Sequence, residues 1–116
     1  MQSVNTKPGF TSLFNGKDLT GWVGDPDLWK VEDSILVGRT TKNLSYNDFL
    51  RTEKEYANFA FTCETRLQGY NSGIQFRSLV QEDGHMAGYQ ADIGDYCWGA
   101  LYEEMLRGHL VHYQPE

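Results

Sequence analysis

The feature that most constrains this chain is a strict two-residue alternation. Across residues 58–67, Phe59, Phe61, Cys63, Thr65 and Leu67 alternate with Ala60, Thr62, Glu64 and Arg66. Successive side chains of a β-strand point to opposite faces, so this pattern sends the first set to one side and the second set to the other. A helix needs apolar residues every three or four positions, and that spacing is scarce here. The reading predicts that residues 58–67 form the longest strand, with Phe59, Phe61, Cys63, Thr65 and Leu67 facing a core.

Shorter runs of the same kind follow one another, broken by turn residues at intervals of roughly ten. Residues 10–14 read as a first strand, and Asn15-Gly16-Lys17-Asp18 as the turn after it. Trp29-Lys30-Val31-Glu32 and Ile35-Leu36-Val37-Gly38 flank Asp33-Ser34 and read as a hairpin. Residues 49–52, 74–78, 88–93 and 100–104 complete the strand set. The one candidate helix is residues 102–106, too short to change the class. The expected fold is all-β, an antiparallel β-sandwich or jelly roll. Residues 1–8 are expected to be an extended or disordered segment before a domain spanning 9–116.

Composition narrows the function classes. The chain has 116 residues, which makes one domain the expectation. Its formal charge is −6, with 16 acids against 10 bases and no run of Lys or Arg. Phosphate binding needs clustered cations, so a nucleic-acid partner is excluded, and an anionic membrane surface is disfavoured for the same reason. No apolar stretch approaches the roughly 20 residues that cross a bilayer, and the polar N-terminus carries no apolar signal core. Aromatic residues reach 14%. Such rings fill β cores, and their flat faces also suit the C–H faces of sugars. Cys63 and Cys97 lie in no CxxC and near no His at ligand spacing, which argues against a Cys/His metal site. They read as two buried free thiols, with one disulfide as the alternative.

Chemistry concentrates in the second half. If residues 74–78 and 88–93 are neighbouring strands, Ile74, Phe76, Tyr89, Ala91 and Ile93 share one face. Gln75, Arg77, Gln90 and Asp92 then share the other. An amide, a guanidinium, an amide and a carboxylate on one rigid patch match the mixed donors and acceptors of sugar hydroxyls. Any one-sided antiparallel sheet also shows polar residues to water. Asn71-Ser72-Gly73 leads into this patch, with a Gly that permits close backbone approach. Asp92, Asp95, Glu103 and Glu104 are the candidate acids and bases. His109 and His112, three apart, give a weak signal of a shared helical face or a metal.

Several blocks together resemble one family. Gly9-Phe10-Thr11-Ser12-Leu13-Phe14-Asn15-Gly16-Lys17-Asp18-Leu19-Thr20-Gly21-Trp22 is similar to the opening of the 3-keto-disaccharide hydrolase domain. Trp29-Lys30-Val31-Glu32-Asp33, Asn71-Ser72-Gly73-Ile74-Gln75-Phe76-Arg77, Gly88-Tyr89-Gln90-Ala91-Asp92-Ile93-Gly94 and Gly99-Ala100-Leu101-Tyr102-Glu103-Glu104 resemble its later blocks, in order. The resemblance implies a concanavalin-like jelly roll and a carbohydrate-active, secreted or periplasmic protein. Family domains run longer, so the sandwich is expected to lack its last strands. Many members carry Glu where this chain has Gln90, and Gln cannot act as a base.

A 3-keto sugar has an acidic C2 proton, so the implied reaction is loss of that proton, expulsion of the C1 substituent and addition of water. It needs a base, an electrophile for the developing oxyanion, and groups that read hydroxyls. Asp92 or Glu103 is the expected base. Arg77 is the expected electrophile, with a divalent metal held by carboxylates as its alternative. Asn71, Gln75, Gln90 and Tyr102 are expected to position the sugar. A non-catalytic carbohydrate-binding module and a structural interaction domain stay open, because one fold supports all three.

Overall fold

The computed structural model describes residues 7–112. No helix occurs among them and every strand pairing is antiparallel, so the class is all-β as expected. The chain divides into two compact units, with the boundary between Phe59 and Ala60.

The first unit holds two small sheets. β1 (Trp22–Val23) pairs with β4 (Arg51–Thr52), and β2 (Trp29–Glu32) pairs with β3 (Ile35–Gly38). The β2–β3 hairpin turns on Asp33 (φ 49°) and Ser34 (φ 61°). Two consecutive left-handed residues give the primed turn whose twist matches that of the strands. Gly38 lies opposite Trp29. A Cβ at Gly38 would come within 2.5 Å of the indole, so only glycine lets the ring lie flat across the partner strand. The indole N–H of Trp29 donates to Asp48 Oδ1 at 2.6 Å.

Residues 10–14 form no strand. Their place is fixed instead by the indole N–H of Trp22, which donates to the Leu13 carbonyl at 2.9 Å. The turn that follows is side-chain built. Asn15 Oδ1 accepts from the N–H groups of Lys17 and Asp18, and Asn15 Nδ2 donates to Asp18 Oδ1. The bond from Asn15 Nδ2, with those from Thr20, pulls the Asp18 carboxyl down to about 2.

The second unit is a four-stranded meander in the order β5-β6-β7-β8. Its strands are β5 (Asn71–Val80), β6 (Met86–Gly94), β7 (Leu101–Glu104) and β8 (Gly108–Val111). Two expectations fail here. Residues 58–67 make no ladder, Cys63 is exposed rather than buried, and Phe59 and Phe61 are 53% and 43% exposed. Alternation shows which side chains share a face, but a strand exists only where a neighbour supplies backbone partners. Residues 102–106 are not a helix. Tyr102 to Glu104 finish β7, and Met105 (φ 65°) and Gly108 (φ 76°) turn the chain back into β8. Cys63 and Cys97 are both free thiols.

The expected segment over residues 1–8 falls mainly on residues 1–6, outside the described ones. Lys7 closes a turn by accepting from the N–H of Phe10 at 2.9 Å. The final residues, 113–116, also lie outside the description.

Candidate functional site

Register decides which side chains of the meander share a face. Gln75 of β5, Gln90 of β6, Tyr102 of β7 and His109 of β8 stand opposite one another in one continuous row. Asp92 lies on the same face two residues from Gln90, opposite Gly73, and Asn71 lies opposite Gly94. Five of the sequence-derived site residues are therefore brought together: Asn71, Gln75, Gln90, Asp92 and Tyr102.

The interior of this patch is bonded in series. Gln75 Nε2 donates to Gln90 Oε1 at 3.4 Å, and Gln90 Nε2 donates to Asp92 Oδ1 at 2.8 Å. Gly73 makes this possible. A Cβ there would lie 2.3 Å from Gln90 Cδ, so the Gln90 side chain occupies the space that a larger residue would take. Gln75 Oε1 is sealed from solvent and has no hydrogen-bond partner among the described residues. A buried acceptor left unpaired costs about 1–3 kcal/mol, and functional sites are where such costs are tolerated.

Asp92 is only 8% exposed. Its backbone is fixed from both sides: its N–H donates to the Ala100 carbonyl at 2.9 Å, and its carbonyl accepts from the Gly99 N–H at 3.0 Å. Gly99 has φ 73°, a conformation that costs glycine little and suits the tight connection between β6 and β7. Cys97 sits beside this turn. Burial pushes its thiol up, and the nearby carboxylates of Asp92 and Asp95 push it further, so it is a poor nucleophile here.

Arg77 and Glu103 are not in this patch. The pairing of β5 with β6 slips between Phe76 and Leu79, and Arg77 takes the left-handed slot of the bulge at φ 51°. A bulge breaks the two-residue alternation that placed Arg77 beside Gln75. Ser78 instead covers the Gln90 face, where its Oγ would lie 2.2 Å from a Cβ on Gly88. Arg77 lines a cleft of about 320 Å³ on the opposite face, with Leu79, Tyr89, Glu103, Met105 and Leu106. Three residues expected to act on one sugar thus divide between the two sides, Asp92 on one and Arg77 and Glu103 on the other.

On that far side Glu103 is 7% exposed and accepts a hydrogen bond from Arg107 Nε. Arg107 Nη2 also donates to the Tyr89 hydroxyl at 3.3 Å, and Tyr89 stacks on Phe76 at 5.8 Å. The bond from Arg107 holds the Glu103 carboxyl below its ordinary value, although burial opposes the shift. Arg107 escaped the sequence reading. A Glu and an Arg four apart signal a helical pair, but here the β7–β8 turn brings them together.

His109 and His112 also take a different place from the expected one. His109 meets Tyr102 edge-on, with centroids 4.9 Å apart, and stacks on His112 at 5.0 Å. No group of three or more His, Cys, Asp or Glu side chains among the described residues is arranged to hold a metal ion. No described helix is long and apolar enough to cross a membrane.

An all-antiparallel chain with amides, a shielded carboxylate and a phenol on one sheet face belongs to the class of β-proteins that can present a rigid polar platform. Residues 9–115 match the 3-keto-alpha-glucoside-1,2-lyase-like domain, and the chain belongs to that family. Its role is accordingly carbohydrate-related. No curated protein and no solved structure matches the chain.

Proposed function

We propose that the Gln90 face binds 3-keto-glycosides and that Asp92 is the base that opens them. The carrying observation is the state of Asp92. It is nearly sealed from water, fixed at both backbone groups, and bonded to a neutral amide rather than to a cation. An amide donor leaves the carboxylate able to accept a proton, whereas a paired cation would hold its lone pairs.

In this reading Asp92 takes the C2 proton, the C–H electron pair forms a C2–C3 double bond, and the carbonyl pair moves onto the C3 oxygen. Collapse of that enolate forms the C1–C2 double bond and breaks the bond from C1 to its substituent. The departing oxygen recovers the proton from Asp92. Water then adds across the double bond and gives the free 3-keto sugar. Elimination between C1 and C2 agrees with the 1,2-lyase-like description of the family. Gln90 Nε2 carries two hydrogens and spends one on Asp92, so the other is free for the oxyanion or a hydroxyl. Asn71, Gln75 and Tyr102 read the remaining hydroxyls. Arg77 and Glu103, on the other face, take no part in this step. Export from the cytoplasm belongs to the same proposal and rests on the family resemblance.

The test is turnover of a 3-keto-disaccharide against the unmodified disaccharide. Wild type is expected to consume only the keto sugar, and Asp92→Asn to lower kcat by about 100-fold or more, the usual scale for a lost general base. Equal rates for the two proteins would remove Asp92 from the chemistry. A second reading, a binding module without catalysis, is favoured by the exposure of His109 and His112 at the end of the row. Saturable binding with no turnover of either sugar selects it.

A further inference from the structure

We propose that His109, with Tyr102 and His112, forms an aromatic subsite for the group that the sugar carries on C1. This rests on the reading of the Gln90 face as a glycoside site and adds to it a residue and a ligand class. The sequence signal for the two histidines pointed to a helical face or a metal. The structure gives them a different arrangement.

The pairing of β7 with β8 carries the argument. Leu101 faces Val111, so an unbroken antiparallel register would set Leu110 opposite Tyr102. The register shifts between Leu101 and Tyr102, and His109 stands there instead. Bulges commonly re-aim a side chain beside a site. The result is a run of three rings, Tyr102 edge-on to His109 and His109 stacked on His112. His109 and His112 are exposed, so they are not core residues satisfied by packing.

The run continues the polar row. Neighbouring strands lie about 4.8 Å apart, so four strands carry the row from Gln75 to His109 over about 14 Å. That exceeds one pyranose ring. The chemistry also changes along it, from two amides and a carboxylate over β5 and β6 to aromatic rings over β7 and β8. Amides and a carboxylate suit the hydroxyl-bearing ring, and flat rings suit an apolar or planar substituent. With the sugar over Gln90 and Asp92, its C1 substituent extends over Tyr102 and His109.

The experiment compares binding of methyl and phenyl 3-keto-α-glucopyranoside by calorimetry or ligand-observed NMR, using the full chain with Asp92→Asn so that neither sugar is consumed. This parent protein is expected to prefer the phenyl glycoside by roughly three- to tenfold, the scale of one aromatic contact. Adding His109→Ala is expected to bring the ratio close to one, and adding His109→Phe, which keeps a ring, to preserve it. Adding Gln90→Ala weakens both glycosides and leaves their ratio near the parent value. A ratio near one in the parent, a ratio unchanged by His109→Ala, or one lost equally in His109→Phe would overturn the subsite while both sugars still bind. Failure of the parent to bind either keto sugar would overturn the glycoside site and the subsite with it.

Discussion

Asp92 and Glu103 are two carboxylates of the same sheet, 8% and 7% exposed, on adjacent strands and opposite faces. Burial does not separate them, and their partners do. Glu103 is bound to the Arg107 guanidinium, which keeps it charged and holds its lone pairs. Asp92 is bound to an amide that neither neutralises it nor competes for its proton. A committed ion pair fixes structure, because breaking one side strands the other. A carboxylate held in place by a neutral donor is still able to accept a proton. Equal depth in a sheet therefore yields a structural acid on one face and a candidate catalytic acid on the other.

The largest expected effect separates the two directly. Asp92→Asn should lower kcat/KM for a 3-keto-glycoside by about 100-fold or more, while Glu103→Gln should change it less than about threefold. Steady-state kinetics on both variants checks the contrast. Comparable losses in the two would show that the faces are not functionally distinct.

Two glycines sharpen it next. A Cβ on Gly73 meets only the flexible end of Gln90, whereas one on Gly88 meets Ser78 Cα at 2.6 Å. Gly73→Ala is expected to displace Gln90 from Asp92, weakening glycoside binding by about tenfold with a stability change under about 1 kcal/mol. Gly88→Ala is expected to destabilise by about 1–3 kcal/mol, since backbone has to move. Denaturant melts and binding isotherms on the pair separate a ligand effect from a packing effect.

Gln90→Glu tests the neutral partner itself. A carboxylate there removes the donor that holds Asp92 and sets a like charge beside it, so kcat for the keto sugar should fall by about tenfold in steady-state assays. An unchanged kcat would mean that the amide does not position Asp92.

The smallest effect lies on the far face. The folded Glu103 carboxyl titrates below its ordinary value of 4.5. Its pair with Arg107 therefore stabilises the fold above that value, and the contribution is lost as pH falls through the lower folded one. Glu103→Gln should lower Tm by a few degrees at pH 7 and by less near pH 3, as thermal melts at the two values would show. Asp18 follows the same sign, its local contribution fading between about 4 and about 2.

Sequence reasoning reached the parts of this molecule that depend on local pattern. Asp33-Ser34 between two apolar runs fixed the β2–β3 hairpin, and the period of two placed Gln75, Gln90 and Asp92 on one face. It failed where a single residue changes register. The bulge at Arg77 moves a guanidinium to the other side of the sheet, and the slip at Tyr102 replaces Leu110 with His109. No two-residue pattern announces either event, because each depends on how a neighbouring strand pairs. Residues 58–67 show the converse. Their alternation is the clearest in the chain, and they make no ladder. Arg107 was hidden for a related reason, since the turn that returns it to Glu103 was read as helix.

The most direct measurement is hydrogen exchange at C2 of a 3-keto-glycoside in D2O, followed by NMR with wild type, Asp92→Asn and Glu103→Gln. Enzyme-dependent deuterium incorporation at C2 by wild type and Glu103→Gln, reduced to the enzyme-free rate in Asp92→Asn, is the predicted result. Exchange that persists in Asp92→Asn, or vanishes in Glu103→Gln, would contradict the assignment of the base to the Gln90 face.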